Sequence, residues 1–105
     1  MSYNKLVRDK IPEIIESSGE IPITRILNDE EYKLELEKKL EEELQEVLSS
    51  SGLDRIEELA DMLEVMIALA KLESKTLEDV IDVCDKKREK RGAFVKKIFL
   101  SGVKK

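Results

Sequence analysis

An all-α helical bundle of about four helices is the fold the sequence predicts, and three observations carry that expectation. Apolar residues recur at spacings of three and four through most of the 105 residues, the period of a helix rather than a strand. Charged residues make up 41% of the chain and aromatic residues only 4%, the balance of helices with much solvated surface. Cap signatures stand just ahead of three apolar runs: Asn28 with Glu31, Asp54 with Glu57, and Thr76 with Glu78 and Asp79. At this length one domain, residues 1–105, is expected. It can bury a modest core but cannot enclose a deep cleft alone.

The first helix draws on Leu6, Val7, Ile11, Ile14 and Ile15. It should begin near Pro12, since proline is tolerated in a first turn, and stop at Ser17-Ser18-Gly19. Lys5, Arg8, Asp9 and Lys10 precede it; most read as solvated charges, with Lys5 and Arg8 as candidates to reach a phosphate. Residues 20–27, EIPITRIL, look extended, and Pro22 would confine such a strand to an edge. The tail AFVKKIFLSGVKK alternates imperfectly through Phe94, Lys96, Ile98 and Leu100, so a minor two-stranded β element between these two segments is expected.

A long acidic helix should run from about residue 29 to 49, a turn fall at Ser49-Ser50-Ser51-Gly52, and a second long helix continue to about residue 74. That second helix is apolar around most of its circumference, leaving a narrow strip of Glu57, Glu64 and Lys71. A helix of this kind is buried on several sides. One small chain hardly supplies that cover, so the helix is expected at the centre of an oligomer interface; a central helix in a monomer is the alternative. The last helix should start after Thr76 and close at Gly92. Its inward face, Leu77, Val80, Ile81 and Cys84, continues to Lys87, Arg88 and Arg91. These cations either complement the helix dipole or, for Lys87 and Arg91, hold a substrate phosphate. Cys84 reads as a small core residue.

The chemistry concentrates in residues 39–64, KLEEELQEVLSSSGLDRIEELADMLE. Each long helix carries an acidic pair three residues apart, Glu43 with Glu46 and Glu58 with Asp61, which sets both carboxylates of a pair on one face. At about 100° per residue, Glu43 projects inside the stripe of Tyr32, Leu36, Leu40, Leu44 and Val47, with Glu46 at its border. Glu58 projects between Val65 and Leu69, and Asp61 between Ala68 and Leu72. Glu35, Glu42, Glu57 and Glu64 point away. An ordinary salt-bridged helix would turn its carboxylates the other way. Four facing carboxylates in a short-turn hairpin need a counter-charge, and a hard divalent cation such as magnesium suits oxygen ligands. Metal-assisted phosphoanhydride hydrolysis, with basic side chains at the rim, is the chemistry this donor set fits. A di-iron centre would normally bring histidines, and the chain has none.

The bulk numbers exclude other classes. A net charge of −5 argues against a nucleic-acid-binding module. No apolar run approaches a membrane span, and MSYNKLVRDK lacks the apolar core of a signal peptide. One cysteine and no histidine make a zinc site a poor fit. A cytoplasmic protein is the expectation.

The segment Lys39-Leu40-x-Glu42-Glu43-x-x-Glu46 followed by Glu57-Glu58-Leu59-Ala60-Asp61 resembles the E-x-x-E … E-x-x-D signature of the MazG-like, all-α nucleoside triphosphate pyrophosphohydrolases. That superfamily includes the phosphoribosyl-ATP pyrophosphohydrolase of histidine biosynthesis. The opening Asn4-Lys5-Leu6-Val7-Arg8-Asp9-Lys10-Ile11-Pro12 and the closing Lys87-x-x-x-Arg91-Gly92-x-Phe94 resemble a small stand-alone branch of it. The resemblance implies magnesium on Glu43, Glu46, Glu58 and Asp61. It also implies hydrolysis of a nucleoside triphosphate to monophosphate and pyrophosphate, and a homodimer or homotetramer with its site near the interface. Glu42, beside the ligands, is the candidate for activating water together with Glu43. The interval from Glu46 to Glu58 is short for the superfamily, and only Tyr3, Tyr32, Phe94 and Phe99 could stack on a base. Phosphoribosyl-ATP hydrolysis is one alternative; a non-catalytic helical dimerisation module with acidic faces is the other.

Overall fold

Two helices of this chain start where a side chain satisfies free N–H groups of the first turn. The computed structural model describes residues 4–105. Four α-helices follow in order: α1 (Ile11–Ser17), α2 (Asp29–Leu48), α3 (Gly52–Leu72) and α4 (Leu77–Arg91). Pro12 sits in the first turn of α1. Asn28 caps α2 through a full capping box, its Oδ1 accepting from the Glu31 N–H at 2.8 Å while Glu31 accepts from the Asn28 N–H at 3.3 Å. Thr76 and Asp79 form the same device at α4. Arg25 clamps the Glu31 carboxylate with two hydrogen bonds, holding the extended segment against the start of α2.

One boundary differs from the sequence reading. Asp54 does not cap α3; the helix starts earlier, with Ser51 at the N-cap position and Gly52 at a φ of +58°. Glycine accepts that left-handed conformation without strain, so the turn can be shorter and Asp54 moves into the first helical turn. The Arg55 side chain donates to the Ser50 carbonyl at 3.0 Å and ties the turn down. At the far end α4 closes as expected, with Gly92 at φ +81° and its N–H bonded to the Arg88 carbonyl.

The expected β element is a correction. Among the described residues there is no strand, and both segments proposed to pair are irregular and exposed, Ile23 fully so. An isolated pair of strands is marginal without a third strand or a helix against it. Pro22 also removes a donor, and a turn from Phe94 to Lys97 interrupts the tail, with Lys97 at φ +60°. A side chain rarely adopts that conformation, and no strand continues through it.

The helices α2 and α3 pack on one another as an antiparallel hairpin, and α3 also meets α4. The face of α2 turned to α3 contains Leu36, whose exposure of 4% makes it the core residue, flanked by half-buried Tyr32, Leu40 and Val47. Half-buried Met62, Val65 and Leu69 lie on one side of α3. A second stripe on α3, Leu53, Ile56, Leu59, Leu63 and Met66, stays exposed. The inward face expected of α4 also fails: only Leu77 is half-buried, and Val80, Ile81 and Cys84 are exposed because nothing among the described residues returns to cover them.

The whole chain is correspondingly open. Its radius of gyration is 18.3 Å, against about 13 Å for a compact domain of this length. It exposes 9925 Å², where a compact monomer of this mass would expose about 6,000 Å².

Candidate metal centre

At the closed end of the hairpin, one carboxylate oxygen from each of Glu43, Glu58 and Asp61 lies within 4.8 Å of the other two. The cause is local. Glu43 lies on the α2 face that packs on α3, and the three-residue turn forces α3 to return alongside it. The spacing of Glu58 and Asp61 then points both toward α2. All three are half-buried, whereas Glu42, Glu57 and Glu64 are exposed, as their angular positions predict. Glu35 departs from that reading: it is half-buried and pairs with Lys38 at 3.1 Å.

The three carboxylates open onto a groove of about 500 Å³, also lined by Lys5, Lys39, Glu42, Gln45 and Glu46. Glu46 borders this space but is exposed and stands outside the three-carboxylate cluster. Of the four predicted ligands, three converge and the fourth sits at the rim. Glu42 pairs with Lys39 at 3.4 Å, facing the groove mouth.

Electrostatics mark the cluster. Burial, then the nearby Asp61 carboxylate, pushes the Glu43 carboxyl above its ordinary range, against a pull downward from Lys39. Burial also raises Glu58, with Glu46, Asp61 and Glu43 adding to it. Like charges held this close favour the neutral acid unless a cation joins them.

The predicted basic residues divide. Lys5 lines the groove beside Lys39. Arg8 reaches the cluster itself, its guanidinium donating to Asp61 at 2.7 Å across 53 residues of sequence. Lys87 and Arg91 lie on exposed turns of α4 and do not line this groove. The same half-buried α4 face that was expected to carry them inward is absent. Among the stacking candidates, Tyr32 is half-buried, Phe94 and Phe99 are exposed in the tail, and Tyr3 lies outside the described residues.

Sequence reasoning assigned no role to Lys39, the half-buried cation beside Glu43. Its signal was available, since it stands one helical turn before Glu43 on the same face. The Arg8–Asp61 pair had no such signal, because no periodicity links an irregular N-terminal segment to α3.

As a donor set, three convergent carboxylates with no histidine or thiolate nearby fit a hard divalent cation. Among the described residues no helix is long and apolar enough to cross a membrane. A stretch of 50 residues, 48% of this chain, is 46% identical to a protein of Mycolicibacterium smegmatis described only as uncharacterized. The match covers 51% of that protein, so the chain spans about half the length of the curated relative it matches. No family model matches the chain, and no solved structure does. The functional reading therefore rests on the hairpin.

Proposed function

We propose that this chain is a magnesium-dependent nucleoside triphosphate pyrophosphohydrolase that works as a homo-oligomer. The observation that carries the reading is the convergence of Glu43, Glu58 and Asp61 from two helices beside a groove edged with lysines. Those three carboxylates would hold the cation, and Glu46 adds negative charge at the rim of the same groove. A magnesium ion held there would supply electrostatic activation of a phosphoanhydride toward water.

The chain's own residues supply the rest. Lys5 and Lys39 place positive charge at the groove mouth, where a triphosphate would lie. Glu42 lines the same groove and would take a proton from the attacking water. The water oxygen joins one phosphorus of the α–β phosphoanhydride, and the bond breaks to leave the nucleoside monophosphate and pyrophosphate. Arg8 neutralises Asp61 while no cation does, which keeps the cluster from opening by repulsion. The exposed α3 stripe and the excess surface support self-association, as a dimer or tetramer, through α3.

Product identification tests this directly. With magnesium and a panel of standard, deoxy and modified triphosphates, pyrophosphate and monophosphate should appear, and Glu43→Gln should lose them. Orthophosphate with diphosphate would move cleavage to the other anhydride bond. If no triphosphate turns over, phosphoribosyl-ATP is the substrate that decides between a biosynthetic enzyme and a binding module. The non-catalytic module is favoured by one observation, the uncovered apolar stripe, and would tolerate Glu43→Gln with Glu58→Gln without loss of function.

A further inference from the structure

Charge is divided unevenly along this chain. Residues 86–105 hold nine of the 19 basic residues and one of the 24 acidic ones, a net of +8, whereas residues 1–85 carry −13. Four of those nine, Lys96, Lys97, Lys104 and Lys105, alternate after α4 with uncovered apolar side chains: Phe94 is 99% exposed, Phe99 90% and Val103 83%. Nothing among the described residues covers them, because α4 carries the segment away from the hairpin in a molecule 66 Å long.

The complementary surface lies on α3. Leu53, Ile56, Leu59, Leu63 and Met66 form an exposed stripe at helical spacing, and Glu57 and Glu64 run along one flank of it. That stripe is apolar where the tail is apolar, and its edge beside residues 53–66 is acidic through Glu57 and Glu64, with Lys71 two turns further on. The chain exposes about 3,900 Å² beyond a compact monomer of its mass. An obligate dimer commonly buries about 1,000–2,500 Å² on each partner, so one copy can cover much of that excess.

We infer that the C-terminal arm, residues 93–105, docks on the exposed α3 stripe of a second copy, with its aromatic side chains on the stripe and its lysines toward Glu57 and Glu64. In a two-fold assembly the exchange is reciprocal, each arm serving the other chain. An anionic membrane or a nucleic acid is a poorer occupant, since the acidic body that carries the arm is repelled by both. The inference rests on the proposed self-association and goes beyond it by naming the segment that seals the interface.

A photo-crosslink on the full chain tests it. Phe99 is replaced by p-benzoylphenylalanine, and heavy-isotope-labelled chains are mixed with unlabelled ones before irradiation. Crosslinked peptides joining the arm to residues 53–66 with mixed labels are the expected result. In Lys96→Glu/Lys97→Glu/Lys104→Glu/Lys105→Glu chains the dimer Kd should rise about tenfold, with helix content by circular dichroism unchanged. Same-label crosslinks alone would mean that the arm folds back on its own chain, and would overturn the proposal. So would loss of the mixed crosslink on adding phosphatidylserine vesicles that retain the protein. If the charge-reversed chain associates as tightly as the parent, the arm proposal fails while self-association through α3 stands. A parent chain that is monomeric at all concentrations removes both.

Discussion

The closed end of the α2–α3 hairpin and the α4 arm are built from similar material, yet they end in opposite states. Both are dense in charge, and both carry apolar residues at helical spacing. In the hairpin a turn of three residues returns the chain on itself, so one apolar stripe of α2 meets one of α3 and Leu36 is buried. Glu43, Glu58 and Asp61 are carried into the same contact, and burial with mutual repulsion makes Glu43 and Glu58 harder to ionise. Along α4 nothing returns. Its apolar face stays in solvent, and its basic residues remain separate exposed charges. Periodicity says which face seeks cover; only a neighbour within reach turns that demand into a site.

The comparison can be broken most forcefully at the carboxylates. Glu43→Gln and Glu58→Gln should each lower magnesium-dependent pyrophosphate release by about 100-fold or more, measured by product assay. Lys87→Ala should leave the metal affinity of the hairpin unchanged, since Lys87 does not line the groove. A matched loss of metal affinity in both would erase the distinction between the regions.

Packing gives the next largest effect. Leu36→Ala should cost about 3 kcal/mol of stability in a denaturant titration, because Leu36 is the buried core residue. Ile81→Ala on α4 should cost about 0.5 kcal/mol or less at concentrations where the chain is monomeric. If its cost grows with protein concentration, α4 gains its cover from a second copy.

Magnesium at about a hundredfold excess over its Kd should raise stability by about 2.7 kcal/mol, seen as a higher melting temperature. Glu43→Gln should remove that gain while raising the stability of the metal-free chain. The capping boxes come next: Asn28→Ala should cost about 1 kcal/mol, and Thr76→Ala should cost less if α4 contributes little to the cooperative unit.

The smallest effect is the pH dependence of the metal-free chain, and its sign separates the two kinds of carboxylate. Glu43 and Glu58 titrate above the ordinary 4.5 when folded, so the folded state takes up their protons first as pH falls. Their contribution therefore improves between neutrality and 4.5, and is lost again as pH rises through the folded values. Glu31 is held below 4.5 by Arg25 and its cap bond, and Asp79 below 3.8 by Thr76. Those two stabilise above their ordinary values and lose that contribution as pH drops further. Melting temperature against pH should show a shallow rise before the acid fall, and Glu43→Gln/Glu58→Gln should flatten the rise.

Much of this was legible in the residues. Asn28 with Glu31 and Thr76 with Asp79 announce their helices, since capping is local chemistry within four residues. The inward phase of Glu43, Glu58 and Asp61 follows from 3.6 residues per turn and the short turn between the helices. Glu46, one step further round, reaches only the rim, a difference of angle too fine for spacing to resolve. The failed strand pair and the uncovered α4 share one cause: each depends on a distant segment coming to meet it.

By itself, the sequence determined the all-α class, the capped starts of α2 and α4, the hairpin and the inward phase of Glu43, Glu58 and Asp61, because each of these is decided by interactions among residues close along the chain. Tertiary structure alone decided that Arg8 pairs with Asp61, that Lys39 stands beside Glu43 at a groove, and that α3 and the arm remain uncovered. Those outcomes depend on how separate segments meet in space, and no local period encodes that meeting.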